Sequence, residues 1–191
     1  MSANVPVKVP QPSVPAPAKS LPTPSSELSS AIVLPFQILA TTFGSVETAF
    51  QISLSSHPSL QKLMAPYRHV QLVECEAVFC PNSFAVSAPI TINAVWTTAN
   101  SPASPVDILQ IYGGRPFTFG GSLQSTSESI LPLPGNFTNA MLKDSVAYLD
   151  TPKLLAYSPV PSSPSKLPSV HLLIRGKLRL SSPLLLASPS S

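Results

Sequence analysis

Three histidines, two cysteines and eight carboxylates are the side chains of this chain suited to metal binding or acid–base chemistry. They are scattered, without the close spacing of zinc sites, so no metal centre is expected. Gly113-Gly114 and Gly120-Gly121 are doublets that lack the Lys-Ser/Thr ending and the three-glycine spacing of a nucleotide loop. They read as turns or bulges. Serine is abundant, but none stands in a G-x-S-x-G elbow, and an enzyme is not expected. One electrostatic pattern rises above this background. His171, Arg175, Lys177 and Arg179 share one face of a period-two segment, and Glu74 and Glu76 form the only acidic pair at the same two-residue spacing.

Short strands must position these charges. Val46, Thr48, Phe50, Ile52 and Leu54 alternate with polar or small residues, the pattern of a half-buried strand. Val73, Cys75, Ala77 and Phe79 oppose Glu74 and Glu76, and Ile90, Ile92, Ala94 and Trp96 oppose Thr91, Asn93 and Thr97. Val170, Leu172, Ile174, Leu178 and Leu180 oppose the basic row. Several one-sided strands make a β-sandwich. Two short helices interrupt them. Leu60, Leu63, Met64 and Tyr67 form one helical stripe after Pro58, and Ser104, Pro105 and Asp107 read as the capped start of a second helix that Gly113-Gly114 stops. If the last strand lies beside the one carrying Glu74 and Glu76, the two charged rows pair across strands.

The bulk composition agrees with an all-β body. Twenty-four prolines break any long helical pattern, while charged residues are only 10% of the chain against 43% hydrophobic, which points to a surface covered largely by other protein. Residues 1–26 hold seven prolines, Lys8 and Lys19, and neither acid nor aromatic. Such a segment cannot bury enough apolar area to offset its ordering, so it is expected to be a flexible, extended N-terminal arm preceding a shell-like body at 27–191. AIVLPFQILA is too short and too broken by Pro35 to span a membrane, and no membrane partner is expected. Cys75 and Cys80 fall on opposite faces of one predicted strand, which disfavours an intrachain disulfide and fits a reducing origin. The sequon Asn136-Phe137-Thr138 reads as chance in that setting.

Three blocks carry a family resemblance: IYGGRPFTFGG from Ile111, LKDSVAYLDTPKLL from Leu142 and GKLRLSSPLL from Gly176. Together they resemble the icosahedral plant virus coat proteins of the turnip yellow mosaic type, the tymoviruses and marafiviruses. The similarity runs from about Leu60 to about Leu186, with little to align before Ile32. It implies an eight-stranded antiparallel jelly roll with two short helices and a Pro-rich arm. The corresponding function is a capsid subunit of a virion, assembled in the host plant cell as pentamers and hexamers of a T=3 shell of about 180 copies. The packaged partner would be a positive-sense single-stranded RNA, held through sequence-independent phosphate attraction.

The resemblance also suggests where RNA is met. Tyr67-Arg68-His69 is similar to a family triplet whose histidine lies on the inner face, although by position alone His69 reads as a helix cap or packed ring. Lys177 and Arg179, with Lys8 and Lys19 of the arm, are the further RNA-facing candidates. In this chain Ser181-Ser182-Pro183 stands where well-known members carry a second histidine, and the family's acidic residue near PLPGNFTN has no clear counterpart. At +3 per copy, about 180 copies supply about +540 charges against several thousand phosphates. No cofactor is expected, but polyamines or metal cations should accompany the RNA, and empty particles should form. Without the resemblance, the same strands fit a cellular β-sandwich interaction or carbohydrate-binding module.

Overall fold

Alternating apolar and polar residues can bury one face of a strand only against a second sheet, and that is how the chain folds. The computed structural model describes residues 31–121, 127–137, 140–143, 151–160 and 167–184. In order, its elements are β1 (Ile32–Phe43), β2 (Thr48–Ser53), α1 (Pro58–Met64), β3 (Tyr67–Pro81), α2 (Phe84–Ser87) and β4 (Ile90–Thr98). A 3-10 segment (Pro105–Gln110) follows, then β5 (Arg115–Phe119), β6 (Ser129–Pro132), β7 (Met141–Lys143), β8 (Pro152–Ser158) and β9 (Val170–Pro183).

One sheet has the order β1-β9-β3-β6, with β7 also on β3, and the other has the order β2-β8-β4-β5. All the pairings are antiparallel. β6 lies along Glu76 to Phe79 of β3, and β7 lies beside Val70 and Gln71, so the two are pieces of one interrupted strand. The result is two four-stranded sheets in jelly-roll order, the expected fold class.

Between the sheets lies one core. Leu72, Phe79, Ile92, Leu154, Leu172 and Leu178 are fully buried in it. Polar and aromatic contacts tie the sheets together across this core. The Trp96 indole on β4 donates to the Leu131 carbonyl on β6 at 3.1 Å, and the Phe79 and Phe117 rings stack with centroids 4.8 Å apart.

β3 differs from its simple pattern at one place. The β3–β9 register slips between Leu72 and Glu74, so Val70 and Leu72 face the core before the bulge and Cys75, Ala77 and Phe79 face it afterwards. Val73 therefore does not share the inward face expected from alternation, and it is only half-buried. Opposite the bulge is Gly176, where an added Cβ would lie 2.2 Å from the Glu74 carbonyl and 3.0 Å from the Phe36 ring.

Other boundaries also move. β2 is shorter than its alternating run, because Val46 is exposed before it and Leu54 is buried in a 3-10 turn after it. α1 ends at Met64, and Tyr67 begins β3 instead of extending the helical stripe. The Lys143 ammonium donates to the Met64 and Ala65 carbonyls at 3.1 and 3.0 Å, satisfying the end of α1 from β7. The expected second helix is the 3-10 segment, and Ser104 makes no side-chain cap there. The short α2 turn has no apolar periodicity to announce it; Asn82 sets it by accepting from the Phe84 amide at 3.0 Å. Both cysteines are free thiols, Cys75 buried and Cys80 half-buried.

Candidate functional site

The β3–β9 pairing brings the two charged rows together. Directly opposed residues of an antiparallel pair point to the same side, and Glu76 meets Arg175 while Glu74 meets Lys177. Their side chains close ion pairs, with Arg175 Nε 2.5 Å from Glu76 Oε1 and Lys177 Nζ 2.7 Å from Glu74 Oε1. The Glu76 hydrogen bond pushes the Arg175 guanidinium further towards its charged form. Pairing across strands is thus the observed arrangement, and two of the row's positive charges are compensated within the fold.

The row is not uniform. Arg179 stands opposite Gln71 on β3 and Val33 on β1, so no carboxylate occupies the position that Glu74 takes for Lys177. One pair further along, His69 faces Ser181. His69 is therefore a strand residue, not a helix cap, and the bulge is what lets it share the outer face with Glu74 and Glu76 despite its odd number. The structure gathers His69, Lys177 and Arg179 on one sheet face. Lys8 and Lys19 lie outside the described residues.

At the other end of the same face the chemistry changes. Leu39 on β1 meets Leu173 on β9, Leu173 meets Val78 on β3, and Val78 meets Ile130 on β6. This is an apolar row across four strands, on the side away from the core. Leu39 and Ile130 are 57% and 43% exposed. Sequence reading missed this row, because its members come from four distant segments and only the register aligns them.

A second exposed apolar group covers the opposite side of the sandwich. Ile108 of the 3-10 segment packs on Val95 and Leu155, which point outward from the second sheet. The same segment and its turn leave Val106, Leu109 and Tyr112 exposed. Pro105 and the Gly113-Gly114 stop were the only signals of this ridge.

Among the described residues no three His, Cys, Asp or Glu side chains gather to hold a metal. None of the described helices is long and apolar enough to cross a membrane. A cavity of about 790 Å³ is lined by the charged pairs themselves together with Pro35, Phe36 and Pro132.

A jelly roll of this order belongs to a class of structural and binding modules that includes viral capsid subunits. The tymovirus coat protein family model matches residues 12–191. The capsid protein of eggplant mosaic virus is 54% identical over 182 residues, covering 95% of this chain and 97% of that protein. The solved structure of Desmodium yellow mottle tymovirus superposes with a TM-score of 0.80 at 32% identity, covering 98% of both chains. The empty head of turnip yellow mosaic virus also gives 0.80, at 28% identity, covering 99% of this chain and 95% of that one.

The chain belongs to the tymovirus coat protein family. It is a structural capsid protein of the virion that assembles with copies of itself, and not an enzyme. The carbohydrate-binding or interaction-module alternative falls with this finding. The family match also begins at residue 12, well before the Leu60 to Leu186 span carried by the motifs.

Proposed function

We propose that copies of this chain close into a T=3 icosahedral shell of about 180 subunits, as pentamers and hexamers, around a positive-sense single-stranded RNA in the host plant cell. Residues 27–191 form the shell body, and residues 1–26 serve as an arm that carries Lys8 and Lys19 to the interior. His69 and Arg179 meet the RNA phosphates, with Lys177 contributing less.

One observation carries this reading: Glu74 and Glu76 neutralise Lys177 and Arg175 inside the subunit. With a net charge of only +3 per copy, protein contacts hold the shell and RNA binding is weak and sequence-independent. Polyamines or metal cations supply the remaining neutralisation. The solved empty head of a relative is consistent with a shell that does not need its genome.

Expression of the full chain in bacteria, followed by negative-stain imaging and measurement of RNA and polyamine content, tests the proposal. Uniform shells, some filled with RNA and polyamine and some empty, are the expected result. A chain that stays monomeric at high concentration would overturn the shell reading. Shells whose RNA is fully neutralised without small cations would overturn the charge argument.

A further inference from the structure

A cleft opens on the flank of the sandwich, where the β4 edge of one sheet approaches β6 of the other. β5 pairs with β4 only as far as Ala94, so among the described residues no strand pairs with Val95 to Thr98 on that side. The cleft measures about 380 Å³, within the range of small ligand sites. Trp96 and Phe137 form its buried floor, and Tyr112, Pro134 and Asn136 stand exposed at its rim. No charged residue lines it. Aromatic rings beside a proline and an amide suit an extended proline-rich peptide, whose pyrrolidine rings pack on aromatic surface and whose carbonyls accept from the amide.

The chain carries such a peptide itself. Val9 to Ala18, between Lys8 and Lys19, holds four prolines and no charge. Pro12 and Pro15 are three residues apart, which places both on one side of a polyproline helix with three residues per turn. We propose that the arm stretch Pro10 to Pro17 seats in this cleft of its own subunit. Its lack of charge matches the uncharged lining, and Lys8 and Lys19 are left outside at either end. The contact lies within one subunit; only what Lys8 and Lys19 then do rests on the proposed role of the arm.

The arm starts from the right end of the molecule. Ile32 pairs with Leu180 and Leu180 with Val70, so the start of β1 lies near the start of β3. Thr97 and Ser53 both pair with Lys153, so the cleft end of β4 lies near the end of β2. α1 joins the end of β2 to the start of β3, and both places are therefore at one end of the sandwich. From Pro17 to Ile32 an extended polyproline-like chain covers about 45 Å at about 3.1 Å per residue. Crossing four strands about 4.8 Å apart and two sheets about 10 Å apart needs less than about half of that.

Trp96 is the one tryptophan of the chain and lies in the floor, so it reports the contact directly. In a full-length Cys80→Ser chain, Ser13→Cys labelled with a nitroxide should lose most of its Trp96 emission, and reducing the nitroxide with ascorbate should restore it. Cys75 is buried and stays unlabelled. Tyr112→Ala, at a fully exposed position, should restore the emission of the labelled chain, as should Pro12→Gly with Pro15→Gly. An excess of a synthetic peptide of residues 9–18 should do the same, and its Pro-to-Gly counterpart should not. Labelled chains that also carry Trp96→Phe, mixed with unlabelled wild type before refolding, should leave the wild-type emission unchanged.

Full emission in a labelled chain that melts as the wild type does would overturn the contact, as would a loss that neither Tyr112→Ala nor the glycines relieve. Quenching of wild type by the labelled Trp96→Phe copies would overturn the assignment to the subunit's own arm. Because emission is read within each copy, a chain that failed to form shells would count against the shell reading and leave this contact standing.

Discussion

Glu74 on β3 faces Lys177 on β9 with Oε1 and Nζ 2.7 Å apart, whereas the next outward residue of β9, Arg179, faces the neutral Gln71. Two cations on one face of one strand are thus placed in different electrostatic settings by a single partner residue. The difference separates a cation held in an ion pair within the subunit from one that has no carboxylate opposite it in the ladder.

Arg179→Ala shells should therefore retain less RNA than Lys177→Ala shells, as read from nucleic-acid absorbance and from release at rising salt. Lys177→Ala should cost only about 0–1 kcal/mol of subunit stability, because both partners of its ion pair are half exposed. If a Lys177→Ala, Arg179→Ala double variant retained RNA fully and lost only stability, the phosphate role of this row would be wrong.

Gly176→Ala should destabilise the subunit by about 1–3 kcal/mol in urea denaturation. The added methyl would sit 2.2 Å from the Glu74 carbonyl, which the β3 bulge holds in place, and neither backbone can retreat without breaking the ladder. A neutral effect would show that the bulge is soft.

Trp96→Phe keeps most of the apolar bulk but removes the indole donor that links β4 to the Leu131 carbonyl across the core, while that carbonyl keeps its place in the β3–β6 ladder opposite Ala77. The expected cost is about 0.5–1.5 kcal/mol. Since Trp96 is the one tryptophan of the chain and is buried, wild-type unfolding should appear as a red shift of its emission, while the variant is followed by circular dichroism.

Burial pushes the Cys75 thiol from its ordinary 9.0 up to about 12. The unfolded chain releases this proton above pH 9 and the folded chain keeps it, so rising pH favours unfolding between those values. Stability should fall by about 1.4 kcal/mol per pH unit in that window relative to Cys75→Ala, in which this dependence is gone. Parallel pH profiles of the two proteins would show that Cys75 does not carry the effect. In the native subunit Cys75 should also resist thiol reagents at pH 8, and Cys80, whose thiol is raised by partial burial and by Glu128, should react slowly.

Alternation was enough to read the strands of β4 and β9 and their core faces, because a half-buried strand leaves its period directly in the order of its residues. The same local rule found the charged rows, and three motif blocks carried the family. The bulge at Val73 stayed hidden, since one extra residue inverts the faces of everything before it without changing composition. The helical expectation for His69 and Tyr67 failed because pairing with β9 outweighed a spacing that also fits a helix.

What the sequence determined by itself was the class of the body, the scarcity of charge and the identity of the candidate cations. What only the tertiary structure decided was which charges cancel and which apolar residues join. Lys177 meets Glu74, and Leu39 meets Leu173 beside Val78 and Ile130, through registers between segments far apart in the chain. Local periodicity fixes which face a residue takes, but the neighbour across the strand is set by packing of the whole sandwich.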